Sequence, residues 1–115
     1  MNLIRIDHVS LNAGDRARSV DFYEDVLGLR AGRRSGPADQ PVFVGPDTAQ
    51  LGLFGDRAPG LRHVALATDR AGQRQVRARL EALAIPFEPV RHRTHDSLYF
   101  SDPDGMVMEV MVPTA

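Results

Sequence analysis

Apolar and polar residues alternate from Leu3 to Asn12, which suits a strand with one buried face. Ile4, Ile6, His8, Ser10 and Asn12 would share one side, with Leu3, Val9 and Leu11 on the other. The period then changes. Asp15 can cap a helix in which Val20, Tyr23 and Leu27 recur at helical spacing, and Gly28 supplies a stop. Three short strands are predicted next, near Leu29–Arg34, Pro41–Val44 and Ala49–Phe54, with Ser35–Gln40 as a loop.

The same order then recurs. Leu61–Ala67 is a predicted strand, Asp69 can cap a helix, and Val76, Leu80 and Leu83 form its apolar stripe. Pro86 ends that region, and Phe87–His92, Asp96–Ser101 and Met106–Val112 are the last three strands. His8-Val9-Ser10-Leu11 matches His63-Val64-Ala65-Leu66 at a spacing of 55 residues, so the second half repeats the first. The pattern predicts an α+β fold of two tandem βαβββ units. Unit one would span about 1–56 and unit two about 57–115 of a single domain, with Gly55–Gly60 as a short seam.

The last two strands enclose Asp102-Pro103-Asp104-Gly105, in which Pro103 presets φ and Gly105 can take a positive φ. The strand after this turn carries Glu109 between Met108 and Val110. A carboxylate in an apolar strand is costly to bury unless something cationic pairs with it. Alternation sends Val9, Leu11, Val64 and Leu66 toward the helices, and so turns His8, His63 and Glu109 to the opposite face. Two imidazoles and one carboxylate with open positions suit a divalent Fe, Mn, Zn or Ni ion.

Composition changes this picture little. The 115 residues are 43% hydrophobic and 25% charged, ordinary values for one globular domain. A net charge of -1 points to neither nucleic acid nor an anionic membrane as partner. No apolar run approaches spanning length and no signal-like segment precedes the first strand, so a cytoplasmic protein is expected. Cysteine is absent, which removes disulfides and a thiol nucleophile. All fourteen basic residues are Arg, so Schiff-base chemistry on lysine is excluded as well.

These residues carry a resemblance that covers essentially the whole chain. Asp7-His8-Val9, Val20-Asp-Phe-Tyr-Glu-Asp-Val-Leu-Gly-Leu29, Leu61-Arg-His-Val64 and Leu98-Tyr-Phe-Ser-Asp-Pro-Asp-Gly105 with Glu109 are similar to the vicinal oxygen chelate superfamily. That superfamily includes glyoxalase I, bleomycin-resistance proteins, fosfomycin-resistance transferases and type I extradiol dioxygenases. The resemblance implies a curved mixed sheet with a metal in its trough, polarising vicinal oxygens of a small substrate, and a homodimer. The three ligands can come from one chain or from a swapped dimer.

Glyoxalase I resembles a four-ligand site with a carboxylate from each unit, one of them the base. Aligning Ala49-Gln-Leu-Gly-Leu53 with Met106-Val-Met-Glu-Val110 puts Gly52 at the second carboxylate, and its face neighbours Gln50 and Phe54 restore no acid. The fosfomycin transferases share the three-ligand pattern. Asp96-Ser97-Leu98-Tyr99-Phe100 and Ser10 look like parts of their site, and Arg91 or Arg93 could bind an anion. Their lysine and their cation loop are replaced by Pro89, Arg91 and Arg93, and their C-terminal extension has no counterpart. Extradiol dioxygenases share His, His, Glu as a ferrous triad, with a second His and a Tyr near the metal that His92 or His95 and Tyr99 resemble. That implies Fe2+ first, with Mn2+, Ni2+ or Zn2+ as alternatives. Tyr99, His95 and His92 are then the catalytic candidates, and Ser10, Gln50, Phe54, Ser97 and Arg93 the substrate contacts. A dioxygenase-like enzyme is the first expectation, a transferase or Lewis-acid lyase/isomerase the second. Drug sequestration of the bleomycin-resistance type, usually without the three ligands, is the third.

Overall fold

The computed structural model describes residues 3–114, with side chains described from residue 5 onward. Its elements run β1 (Leu3–Asn12), α1 (Arg16–Leu27), β2 (Val42–Val44), β3 (Leu51–Phe54), β4 (Gly60–Thr68), α2 (Arg70–Ala82), β5 (Glu88–Arg91), β6 (His95–Ser101) and β7 (Val107–Pro113). The class is α+β, as the alternating periods require. Two compact units share the chain: Asp7–Arg62 forms one, and the residues from His63 onward, with the start of β1, form the other.

In the N-terminal unit β1 runs parallel to β3, and β2 runs antiparallel to β3. Asp15 caps α1 by accepting the Arg18 N–H at 3.1 Å, and Gly28, at φ 68°, ends it. Val20 of α1 packs on Val42, Val44 and Leu53, with Leu11, Tyr23 and Leu29 around them. Leu27, expected in the stripe, is 60% exposed, because the reversal at Gly28 brings Leu29 to the core instead. The strand predicted near Leu29–Arg34 is reduced to a single bridge, Ala31 to Val44. Arg34 pairs with Asp21 and Glu24 of α1, which draws that segment toward the helix and away from the edge of β2.

In the C-terminal unit the order is β4-β7-β6-β5, with β4 parallel to β7 and the other pairs antiparallel. Asp69 caps α2 through the Gly72 N–H at 2.7 Å. A side chain at Gly72 would fall 2.0 Å from Thr68 Oγ1, so the close start of α2 against β4 requires glycine. Val76 and Leu80 meet Leu98 and Val110, with Ile85, Phe87 and Phe100 beside them. Leu83 is not part of this core. It is 69% exposed at the helix C-cap, and the turn through Ala84 (φ 55°) delivers Ile85 and Phe87 to the sheet in its place. No helix among the described residues is long and apolar enough to cross a membrane.

Candidate metal centre

The β6–β7 hairpin places Glu109. Asp102 Oδ1 accepts the Asp104 and Met106 N–H groups, each at 2.9 Å, while Gly105 takes φ 83°. This turn locks a register in which Tyr99 lies opposite Glu109 on one side and Ala65 lies beside it on the other. His63, two residues before Ala65, shares that face of the sheet.

Glu109 is 1% exposed. Its Oε1 lies 3.1 Å from His63 Nε2, and its Oε2 accepts the Ser97 hydroxyl at 2.6 Å and lies 3.3 Å from His95 Nε2. An imidazole nitrogen facing a carboxylate must carry a proton or share a cation with it. The donors therefore fit a divalent ion by type and by burial, and the pairings above keep the carboxylate satisfied without one.

His92 and His95 flank the turn between β5 and β6. The His92 N–H donates to the His95 carbonyl at 2.8 Å, and Thr114 N–H holds the Thr94 carbonyl at 2.9 Å. The two rings stack with centroids 4.4 Å apart. His92 Nε2 is 2.8 Å from the Tyr99 hydroxyl. Burial, with the neighbouring His95, lowers the His92 pKa. Burial, with the Glu109 carboxylate, raises the Tyr99 phenol above its ordinary value. Both shifts favour the neutral forms, so imidazole and phenol face each other uncharged near neutral pH.

In the N-terminal unit His8 is 7% exposed, with Nδ1 2.7 Å from Asp7 Oδ2. A carboxylate on Nδ1 favours the tautomer that leaves Nε2 unprotonated. Gly52 pairs with Ser10 on one side and Phe43 on the other, as Glu109 pairs with Ala65 and Tyr99. The twin of the carboxylate is thus a glycine, and its room is filled. A Cβ there would lie 3.0 Å from Phe43 Cε1 and 3.1 Å from Ser10 Oγ, and the Phe43 ring stands edge-on to His8 at 5.4 Å. Phe43 and Asp7 carry this arrangement without having been singled out as site residues. The repeat offset of 55 residues sets Phe43 against Leu98 and not Tyr99, so the sequence carried no signal for it.

The expected substrate contacts differ in burial and in partners. Ser97 is buried, and its hydroxyl donates to Glu109. Phe54 is 8% exposed and covered by the Arg62 guanidinium, 3.7 Å above its ring; Arg62 is held in turn by Asp56 at 2.5 Å and Asn12 at 3.1 Å. Ser10 is fully buried beside Gly52. Gln50 is half-buried, and its carbonyl accepts the Val9 N–H at 3.2 Å. Arg93 is exposed on the β5–β6 turn. A groove of about 540 Å³ runs beside Tyr99, walled by Ile85, Phe87, Phe100 and Val107.

Glu109, buried among imidazoles, is a carboxylate that could share a metal ion with them. The chain belongs to the Glyoxalase/Bleomycin resistance protein/Dioxygenase superfamily, whose sequence profile matches residues 5–110. It is 28% identical to a lactoylglutathione lyase of Escherichia coli O157:H7, over 94% of this chain and 92% of that protein. It is 29% identical to a lactoylglutathione lyase of Neisseria meningitidis serogroup B, over 92% and 88%. Among solved structures, methylmalonyl-CoA epimerase from Mycobacterium tuberculosis superposes with TM-score 0.75 at 18% identity, over 96% of this chain and 88% of that one. A catechol 2,3-dioxygenase superposes with TM-score 0.79 at 15% identity, over 95% of this chain and 42% of the larger one. At these identities the two structures establish the fold.

Proposed function

We propose that this chain is a divalent-metal-dependent enzyme acting on a small substrate with vicinal oxygens, and that its reaction is ring-opening dioxygenation of a vicinal diol. One observation supports this above others. Among the described residues Glu109 is the one buried carboxylate, its twin position is closed by Phe43 and Ser10, and a neutral His–Tyr pair stands on its strand face. A site with one carboxylate ligand and no carboxylate base suits chemistry in which a neutral imidazole takes the proton.

His8, His63 and Glu109 would hold the ion, Fe2+ first, with Mn2+, Ni2+ or Zn2+ as alternatives. The third ligand, His8, is assigned from its repeat relation to His63 and from the Asp7 carboxylate on Nδ1. When bound, such an ion acidifies coordinated hydroxyls and orders the oxygens of the substrate. His92 would accept a diol proton at its imidazole, since its lowered pKa keeps it unprotonated at neutral pH. Tyr99 would donate from a phenol that stays protonated. Ser97 and His95 position the second oxygen of Glu109.

Anaerobic reconstitution with Fe2+, followed by a catechol panel in air, is expected to give ring-cleavage absorbance. Absence of turnover across the panel with iron bound would sink the dioxygenation. His8→Ala is expected to lose stoichiometric metal, and full retention refutes its ligand role. A lyase or isomerase is the second choice, supported by the names of the curated relatives. Turnover of lactoylglutathione with Ni2+ or Zn2+, and none of catechols with Fe2+, would move the assignment there. Thiol consumption with fosfomycin and Mn2+ would indicate a transferase, and tight drug binding without turnover a sequestering protein. We also infer a homodimer, supported by Phe22, Val26 and Leu27 on α1, each between 57% and 61% exposed. Sedimentation at the mass of one chain refutes it.

A further inference from the structure

We propose a second metal site on the other oxygen of Glu109, formed with His92 and His95 and taking a borderline divalent ion such as Zn2+. Each of the three residues offers one ligand atom, and these atoms all lie within 4.8 Å of one another. The geometry is built by the backbone. The hydrogen bond from His92 N–H to the His95 carbonyl closes the turn, the anchor from Thr114 to Thr94 holds it, and the rings are parallel to within 29°. Two imidazoles three residues apart on a fixed turn lose little conformational freedom on chelation, which favours binding.

Glu109 divides its oxygens. Oε1 faces His63, and Oε2 faces Ser97 and His95. Carboxylates commonly take a different cation on each oxygen, so Glu109 can bridge two ions. The pair His92 and His95 is half-buried where His63 is buried, so this second position exchanges with solvent more readily. Imidazole and carboxylate donors with no thiolate suit Zn2+, Ni2+ or Cu2+ better than Ca2+ or Mg2+.

The site shares Glu109, His92 and His95 with the function proposed above, and an ion there would occupy the imidazole assigned as proton acceptor; it does not need His8, which separates the two tests. Untagged, metal-stripped protein would be titrated with ZnCl2 while the histidine imidazole nitrogens are followed by 1H–15N NMR. The expected result is that zinc shifts the His92 and His95 signals, within two equivalents in wild type and within one in His8→Ala. The His92→Ala/His95→Ala variant is expected to bind one zinc fewer than wild type by equilibrium dialysis. Wild-type His92 and His95 signals that stay unmoved through tenfold excess zinc would overturn the site, and so would an undiminished zinc count in the double variant. If His8→Ala keeps the shift at His92 and His95 and also keeps its full zinc count, the His8 ligand role fails while this site stands.

Discussion

Replacing Ser97 by alanine removes one hydroxyl and little volume, so it probes a single interaction. That hydroxyl donates to Glu109 Oε2 at 2.6 Å, and the carboxylate is 1% exposed, so water cannot take its place without disturbing the sheet. A hydrogen bond to a charged group contributes about 1.5–3 kcal/mol, against about 0.5–1.5 kcal/mol for a neutral pair. Ser97→Ala is therefore expected to destabilise metal-stripped protein by about 2 kcal/mol. With a urea slope of about 1–3 kcal/mol/M for a small domain, the midpoint should fall by about 1 M. In a Glu109→Gln background the loss should shrink to about 1 kcal/mol, because the acceptor no longer carries a charge. Losing a group that orients a metal ligand also weakens metal affinity, by about 10–100-fold. Urea melts of the four proteins, with isothermal titration of the metal into wild type and Ser97→Ala, check both numbers. A metal-stripped Ser97→Ala protein within about 0.5 kcal/mol of wild type would refute the assignment of Ser97 as the group that holds Glu109.

Gly52→Ala places a methyl 3.0 Å from Phe43 Cε1 and 3.1 Å from Ser10 Oγ, and should cost about 1–3 kcal/mol. A Phe43→Ala background should relieve most of that cost, and equal costs in both backgrounds would contradict the packing. Burial, and next the Glu109 carboxylate, raise the Tyr99 pKa above 10.0, so its stabilising contribution is complete below pH 10.0 and declines as pH rises further. In a Tyr23→Phe protein the 295 nm phenolate absorbance should therefore develop only above pH 10.0, and titration at or below that value refutes the shift. Asp102→Ala removes the acceptor for the Asp104 and Met106 N–H groups and should cost about 1–2 kcal/mol. Faster exchange of those two amides is the check, and unchanged protection would show the turn to be held by other contacts.

Much of the fold was legible from local pattern. The alternation of β1, the caps Asp15 and Asp69, and the Asp102–Gly105 turn are properties of short segments, and all of them formed. Leu27 and Leu83 misled because helical spacing counts residues along an axis, while exposure depends on where the helix stops. The strand near Leu29–Arg34 failed because Arg34 found Asp21 and Glu24 on α1, partners that strand propensity does not register.

By itself the sequence determined the duplicated framework, the candidates His8, His63 and Glu109, and the absence of an acid at Gly52, since residue types at repeat-related positions are visible in one dimension. Only the tertiary structure decided what surrounds them. It turned His95 and Ser97 to Glu109, set His92 on Tyr99, and placed Phe43 over Gly52. It also covered Phe54 with Arg62. Each of these pairings joins residues from different strands or from a strand and a turn. Their proximity follows from cross-strand register, which hydrogen bonding between strands sets and which no periodicity within a strand contains.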